Sequence, residues 1–363
     1  MTAKMRFTSL VASLFLLALL PAALAADSTA GLSSGKPDLK SAGPMAFGPE
    51  GILLVGDPQG AAVFAIDTGD RARGARMAEV RVRAVNEKIA ALLGTSAQEI
   101  LINDMAVNPV SGKVYLSVSR GRGPTAAPVL VRVDSGGKVE ALALENVKFA
   151  KAPLPNAATA ERQRLEAITD LAYIDGRVFV AGLSNEEFSS NLRAIPFPFK
   201  GADAGTSVEI YHGSHGQLET RSPVRTFAPF TINEEPYLLA AYTCTPLVKI
   251  PVAELRPGAH VKGTTVAELG NRNRPLDMVV FKKDGKDYIL MANSSRGVMK
   301  ITTDNIDKIR GIAQPISGTA GLTYQTLENL KGVQQLDRLD SEHALLLVQT
   351  DSGALDLETI ALP

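Results

Sequence analysis

The chain has one cysteine, no tryptophan and only 5% aromatic residues among its 363 positions. A single cysteine excludes an intramolecular disulfide, so the fold must be stable through its core alone. The low aromatic content argues against a surface on which sugar rings stack. The 38 basic residues are balanced by 38 acidic ones, and no basic tract or basic–aromatic pattern occurs. We therefore expect no nucleic-acid partner.

Long apolar runs are also missing, except at the start, MTAKMRFTSLVASLFLLALLPAALAADS. Lys4 and Arg6 precede an apolar core over residues 10–20, and Ala23-Leu24-Ala25 supplies a small-x-small cleavage site. This pattern predicts a secretory signal peptide over residues 1–25. A retained membrane anchor is the alternative, although the apolar core is short for a bilayer. We expect a soluble, exported protein, periplasmic or extracellular, with no membrane span and one domain over residues 26–363.

The rest of the chain repeats one pattern six times: a short apolar strand, a turn, a second apolar strand, a polar bend and usually a third strand. Examples are PMAFGPEGILLVGD and NDMAVNPVSGKVYLSVS. The units cover residues 44–67, 102–134, 168–197, 224–252, 275–301 and 332–360. Turns such as GPEG, NPVSGK and KKDGK between alternating segments are hairpin signals.

Short strands at a regular spacing, with no long helix between them, predict an all-β fold with radial repetition. We predict a β-propeller with six blades, or seven if one is hidden in the irregular stretches. Short helices are expected between blades over residues 83–94, 157–168 and 303–311. The last blade looks one strand short, and residues 36–42 are expected to complete it and join the two ends of the chain.

The repeats resemble those of secreted β-propellers of the NHL and YVTN type. At the level of architecture they also resemble the six-bladed SMP-30/gluconolactonase group. The resemblance rests on units such as MAFGPEGILLVGD and MAVNPVSGKVYLSVS and covers most of the mature chain. It implies a scaffold and no particular activity, because propellers host binding, hydrolysis and redox chemistry alike.

Propeller geometry narrows where a site can lie. Loops that lead into the innermost strand and bends between the second and third strands lie on the same face, around the mouth of the central channel. Both sets of loops are polar here, and pockets form at such mouths. The candidate ligand-binding residues at this channel mouth are Asp104, Arg120, Glu166, Asp170, Glu186, Arg225, Cys244, Arg274, Asp277, Asn293 and Arg296. The competing interpretation is that the Asp and Asn residues only cap turns.

Two arginine-bearing segments belong to one repeat unit. NRNR ends at Arg274 just before an inner strand, and NSSRG carries Arg296 in the following bend. Guanidinium groups beside amides suit a carboxylate or phosphate. The segments favour a small anionic ligand or a protein partner, and a solvated turn remains the alternative.

Cys244 is predicted at the same mouth, beside Arg225 or Arg274 and at most partly exposed. IYHGSHGQLE places His212 and His215 above the same face. Two histidines and a thiolate could ligate a transition metal or haem iron, or the thiol could be buried and inert. The sequence has no Cys-x-x-Cys-His, which excludes covalent c-type haem.

Two functional classes therefore stay open. The first is an exported binding propeller. The second is an enzyme that uses the same mouth, either a redox protein or a metal-assisted, lactonase-like hydrolase. The hydrolase needs a cage of carboxylates and amides around a divalent cation, for which Glu166, Asp170, Asp277 and Asn293 are suitable residue types.

Overall fold

The structure is a computed structural model that describes residues 29–72 and 79–363. The predicted signal peptide and its cleavage site lie outside these residues. Within the described ranges, no helix has the length and hydropathy needed to cross a bilayer.

The described residues form six β-sheets, which are the blades of a propeller. We number the blades I to VI in chain order and give their strands from the channel outwards. Blade I contains Met45–Phe47, Ile52–Asp57, Ala62–Asp67, Val147–Pro153 and Ser33–Gly35. Blade II contains Ile100–Val107, Val114–Arg120, Ala127–Val133 and Val139–Ala141. Blade III contains Asp170–Ile174, Arg177–Leu183, Ser190–Pro196, Thr206–His212, Gln217–Glu219 and His260–Lys262.

The remaining three sheets follow the same plan. Blade IV contains Thr226–Ile232, Glu235–Ala241, Pro246–Pro251, Thr264–Glu268 and Ala320–Gly321. Blade V contains Pro275–Lys283, Lys286–Asn293, Gly297–Thr302 and Tyr324–Thr326. Blade VI contains Val333–Arg338, His343–Gln349, Leu355–Ala361 and Arg81–Val82. The predicted all-β, six-bladed propeller is confirmed.

The second strand of each blade is a continuous apolar run because both of its faces are covered by neighbouring blades. Ile52, Leu53, Leu54 and Val55 are all fully buried, and Leu345–Leu347 in blade VI are nearly so. A strand with one solvated face would alternate instead. Six apolar clusters fill the spaces between adjacent blades. The core is therefore a ring of interfaces around the channel.

The order of the blades around the ring differs from their order in the chain. Blade I packs on blade III through a cluster in which Ile52 and Leu54 meet Val178 and Val180. Blade II lies between blade VI and blade I. The ring therefore reads I, III, IV, V, VI, II and back to I.

This order decides how the ring closes. After the third strand of blade I, the chain reaches the far edge of blade VI, where Arg81–Val82 pairs with Leu357 and Glu358. It then builds blade II and returns to blade I, where Val147–Pro153 pairs with the third strand. Edge strands supplied from elsewhere in the chain protect the sheet edges. The predicted closure by residues 36–42 is wrong: the N-terminal strand is Ser33–Gly35, and it pairs within blade I.

The three predicted helices have different outcomes. The first is confirmed as α1, Val85–Leu93, which ends at Gly94 in the left-handed conformation. The second is a single turn, α2, Glu161–Arg164. The third is wrong, because residues 304–308 form turns and Asn305 has a positive φ of 57°, which interrupts a helix. Short 3-10 turns lie at Pro49–Gly51, Ala97–Glu99, Gly123–Thr125 and Val252–Glu254.

Candidate functional site

Four aspartates from four inner strands line the channel: Asp104, Asp170, Asp277 and Asp337. β-bulges at the starts of the inner strands of blades II and V immediately precede Asp104 and Asp277. A bulge re-aims the side chain that follows it. Blades I and IV contribute no carboxylate at the equivalent point, since Pro44 and Thr226 precede their inner-strand residues Met45 and Phe227.

Each of these carboxylates bonds the backbone of the adjacent blade. Asp170 Oδ2 accepts the N–H of Phe227 at 2.7 Å, and Asp277 Oδ2 accepts that of Leu336 at 2.9 Å. Their Oδ1 atoms accept the N–H groups of the next residues in their own strands, Leu171 and Met278. The aspartates therefore fasten one inner strand to the next.

The other two aspartates repeat the arrangement. Asp104 Oδ2 accepts the N–H of Met45 at 2.6 Å, which joins blade II to blade I. Asp337 Oδ2 accepts the N–H of Val107 at 2.7 Å, which joins blade VI to blade II. These contacts follow the spatial order of the blades around the ring. They include the contacts of blade II with blades VI and I, where the spatial order differs from the chain order.

Burial perturbs all four carboxyl groups, and repulsion from neighbouring aspartates adds to it at Asp104, Asp170 and Asp277. Loss of hydration, together with the charge of Asp337, raises the pKa of Asp170 to about 7 despite its backbone hydrogen bonds. Burial raises the pKa of Asp337 to about 6. Burial and the neighbouring aspartates also raise the pKa values of Asp104 and Asp277 well above the ordinary range. The four channel aspartates are therefore harder to ionise near neutral pH than ordinary carboxyl groups.

The aspartates face a cavity of about 820 Å³. Its lining includes the turns that join first to second strands, at residues 108–112 and 339–341. Those turns lie at the opposite end of the inner strands from the predicted mouth. We call this space the aspartate cavity.

A second cavity, of about 720 Å³, lies at the predicted mouth, and we call it the mouth cavity. It is lined by Glu166, Arg225 and Arg274, by Asn103 within the inner strand of blade II, and by Thr169, which precedes the inner strand of blade III. Asn103 and Thr169 immediately precede Asp104 and Asp170, so the two cavities adjoin.

The charged groups of the mouth cavity are unevenly paired. Arg225 Nη1 donates to Glu166 Oε1 at 2.7 Å, and its Nε donates to Thr243 Oγ1 at 3.1 Å. Among the described residues, the Arg274 guanidinium has no ion-pair or hydrogen-bond partner. Partial burial and the charge of Arg225 lower the pKa of Arg274, while Glu166 opposes that shift. A cation thus faces the cavity beside a second cation.

Two further arginines line the mouth cavity and were missed by sequence reasoning. Arg122 lies in the bend between the second and third strands of blade II, and its guanidinium donates to the carbonyls of Gln98 and Ile100. Arg164 ends α2. Asp337 was missed in the aspartate cavity. Asp337 could have been found from the sequence. The segment LDR places an aspartate beside an inner-strand leucine, as NDMA and LDMV place one beside a methionine or leucine.

Four other predicted mouth residues line neither cavity. Arg120 is exposed at the end of its strand. Glu186 accepts a hydrogen bond from Asn156 at 3.1 Å. Asn293 is buried and accepts the Asn273 amide at 2.9 Å, and Arg296 Nη2 donates to the Asn271 carbonyl at 3.1 Å. The side chains of Glu186, Asn293 and Arg296 are thus engaged in hydrogen bonds outside the two cavities.

Cys244 lies in the turn between the second and third strands of blade IV, partly exposed, with a positive φ of 66°. Its N–H donates to the Asn273 carbonyl at 2.6 Å, next to Arg274 in the chain. Arg225 bonds the preceding residue, Thr243. The partial exposure is confirmed, but Cys244 does not line the mouth cavity.

His212 and His215 converge on Glu219 rather than on Cys244. Within the described residues, this trio is the cluster whose ligand atoms all lie within 4.8 Å of one another. It lies at the outer end of blade III, and none of its members lines either channel cavity.

Comparison with known proteins shows similarity only at the level of architecture. No family model and no curated protein matches the sequence. An oxidoreductase (glucose dehydrogenase) from Thermus thermophilus is similar at 13% identity and TM-score 0.37, covering 91% of this chain and 100% of that one. The PQQ-bound aldose sugar dehydrogenase of Streptomyces coelicolor is similar at 12% identity and TM-score 0.36, with 90% and 97% covered.

A protein of gluconolactonase type is similar at 10% identity and TM-score 0.33, with 92% of this chain and 93% of that chain covered. At such low identities and TM-scores, the assignment of a six-bladed propeller rests on the six sheets themselves.

Proposed function

We propose that this chain is an exported binding propeller that recognises a small anionic ligand, with a carboxylate or phosphate group, in the mouth cavity. The observation that carries the proposal is the Arg274 guanidinium, which faces the cavity without a partner among the described residues and lies beside Arg225. Arg274 is exposed to solvent, and a guanidinium without a hydrogen-bonded carboxylate is available to pair with an anion.

The charge of the lining supports this proposal. Four arginines and two glutamates line the mouth cavity, which gives it a net charge of +2 in a chain that is neutral overall. A concave surface of one sign concentrates ligands of the opposite sign.

Glu166 occupies the position on Arg225 that the anionic group of the ligand would take. Its carboxylate bonds Arg225 at 2.7 Å while about a third of its side chain stays exposed. An incoming carboxylate or phosphate can take its place on Arg225 and engage Arg274 at the same time. Each guanidinium group can donate two parallel N–H hydrogen bonds to such an anion.

The size of the cavity favours a small molecule over a protein partner. About 720 Å³ falls within the range of small-molecule sites, which are concave and enclose most of their ligand. A protein partner would instead need a broad exposed patch.

The hydrolase alternative has less support. A cation cage needs carboxylate oxygens directed at one point, and both oxygens of Asp170 and of Asp277 accept backbone N–H groups. Glu166 is paired with Arg225, and the Asn293 oxygen accepts the Asn273 amide. We therefore place ligand recognition ahead of metal-assisted hydrolysis.

Calorimetric titration of the mature protein with phosphate and with citrate tests the proposal. Saturable binding to the wild type should weaken at least tenfold in Arg274→Gln. Arg272→Gln is the matched control, because Arg272 is exposed two residues away and does not line the cavity. Equal binding by the two variants, or no binding by the wild type, would refute the proposal. A mature N-terminus near Ala26 in the exported fraction would test export separately.

A further inference from the structure

The outer end of blade III carries a cluster of two imidazoles and one carboxylate. His212 ends the strand Thr206–His212, and Glu219 ends the short antiparallel strand Gln217–Glu219. The tight turn between them places His215 over His212, since the His215 N–H donates to the His212 carbonyl at 3.1 Å. Hairpin geometry thus brings together three residues that lie within eight positions of the chain.

The three side chains meet at one point. His215 Nδ1 lies 2.6 Å and His212 Nδ1 lies 3.1 Å from the same oxygen, Glu219 Oε1. The two rings overlap, with their centroids 3.8 Å apart. Ligand atoms on a tetrahedral zinc ion, at about 2.0–2.1 Å from the metal, lie about 3.3 Å from one another. Small side-chain movements would therefore suffice to admit an ion.

His212 is an unusual histidine because it is only 1% exposed and neither ring nitrogen has a well-formed hydrogen bond within the described residues. Nδ1 is close to Glu219 but lies outside hydrogen-bonding geometry. Buried polar atoms are nearly always satisfied by a partner, a water or an ion. The buried imidazole therefore needs a partner that the described side chains do not supply, such as a water or a metal ion.

The surrounding residues hold the cluster in place. Ser222 Oγ donates to Glu219 Oε2 at 2.7 Å, which leaves Oε1 directed at the imidazoles. Glu268 is fully buried and fixes the turn, accepting the Gly213 N–H at 2.5 Å and the Ser214 hydroxyl at 2.9 Å. Supporting contacts of this kind orient metal ligands in known sites.

We propose that His212, His215 and Glu219 form a binding site for a divalent transition metal of the zinc type. Two neutral imidazoles and a carboxylate are ligands that zinc accepts, and three protein ligands leave a fourth position for water or another molecule. The site is separate from the mouth cavity, so it adds a second binding function to the one proposed there.

Metal titration of chelator-treated, full-length mature protein tests the site. Zinc should bind with a stoichiometry of one, and cobalt should give the visible absorption bands of a four- or five-coordinate ion. His215→Gln and Glu219→Gln should each weaken binding by roughly 100-fold. His215 is 39% exposed, so its replacement should leave the fold intact, as a circular dichroism spectrum would verify.

His343→Gln is the matched control. His343 Nδ1 also contacts a carboxylate, Asp340, at 3.0 Å, but it has no second imidazole among the described residues. Its loss should leave zinc affinity and the cobalt spectrum unchanged. The proposal would be overturned if zinc binding were absent, or if folded His215→Gln bound as tightly as the wild type. Either result would leave ordinary side-chain contacts between the histidines and Glu219.

Discussion

The two adjoining cavities are both lined by charged side chains, but they use their charges differently. In the aspartate cavity, all the carboxylate oxygens of Asp170 and Asp277 accept backbone N–H groups, one from the adjacent blade and one from the same strand in each case. In the mouth cavity, the Arg274 guanidinium has no hydrogen-bond or ion-pair partner among the described residues, and the carboxylate that pairs with Arg225 is partly exposed. Charged groups whose atoms are already hydrogen-bonded stabilise the fold, whereas charged groups with unpaired atoms are available to bind a ligand. The predictions below test this contrast.

The largest effect is expected from removing a fastening carboxylate. Asp277→Ala leaves the N–H groups of Met278 and Leu336 without their acceptor and should lower the free energy of unfolding by about 3 kcal/mol. Chemical denaturation measures this change.

Asp351→Ala is the control, because Asp351 is an exposed aspartate of a blade VI bend. Its replacement should change the free energy of unfolding by less than about 0.5 kcal/mol. Equal effects of the two substitutions would contradict the fastening role.

The second prediction concerns pH. The folded-state pKa values of Asp170, about 7, and Asp337, about 6, lie above the unfolded value, so the folded state binds protons more tightly. The stability that these groups contribute should therefore be fully present below about pH 4 and be lost as pH rises through the folded-state pKa values of about 6 and 7. For Asp170 alone the loss should be on the order of 2 kcal/mol between pH 5 and pH 8.

Thermal unfolding across this pH range measures the loss. Asp170→Asn should flatten the profile, because it removes one titrating group and relieves the repulsion on its neighbours. A stability that rises from pH 5 to pH 8 would contradict the raised pKa values of these buried aspartates.

The third prediction concerns the mouth cavity. Glu166→Gln frees Arg225 from its counter-charge and should increase affinity for phosphate or citrate by about three- to tenfold, or roughly 1 kcal/mol. Calorimetric titration detects this gain. The gain should disappear in the double variant with Arg274→Gln, and a loss of affinity in the single variant would show that Glu166 itself contacts the ligand.

The smallest effect is expected at Cys244. It is partly exposed and outside the lining of both cavities, so Cys244→Ser should change stability by less than about 1 kcal/mol and leave anion affinity unchanged. A loss of ligand binding in this variant would show that the Cys244 thiol belongs to the binding site. A destabilisation of about 1–3 kcal/mol would instead show that the thiol is packed as a buried apolar group.

The sequence was enough to predict the six blades, because hairpin turns and apolar runs are local signals. The ring order was not predictable in this way, since it depends on long-range pairing such as Arg81–Val82 with blade VI. A two-residue strand has no periodic pattern of its own. The N-terminal strand was likewise assigned to the wrong blade because edge pairing leaves little trace in composition.

The candidate site was also only partly predictable from the sequence. Position in the repeat indicated that Arg225, Arg274 and Asp170 lie near the channel, yet it did not reveal which atoms are free. That distinction comes from partners distant in the chain, such as Phe227 for Asp170. The pairing of His212 with Glu219 depends on a local hairpin but was obscured by the glycines of its turn.

The most direct test of the contrast between the two cavities is an anomalous difference map from a crystal soaked in selenate, a tetrahedral oxyanion whose position selenium reveals. The account predicts a peak in the mouth cavity within hydrogen-bonding distance of Arg225 and Arg274, and none beside Asp170 or Asp277. A peak among the aspartates, or peaks only at surface lysines, would contradict it.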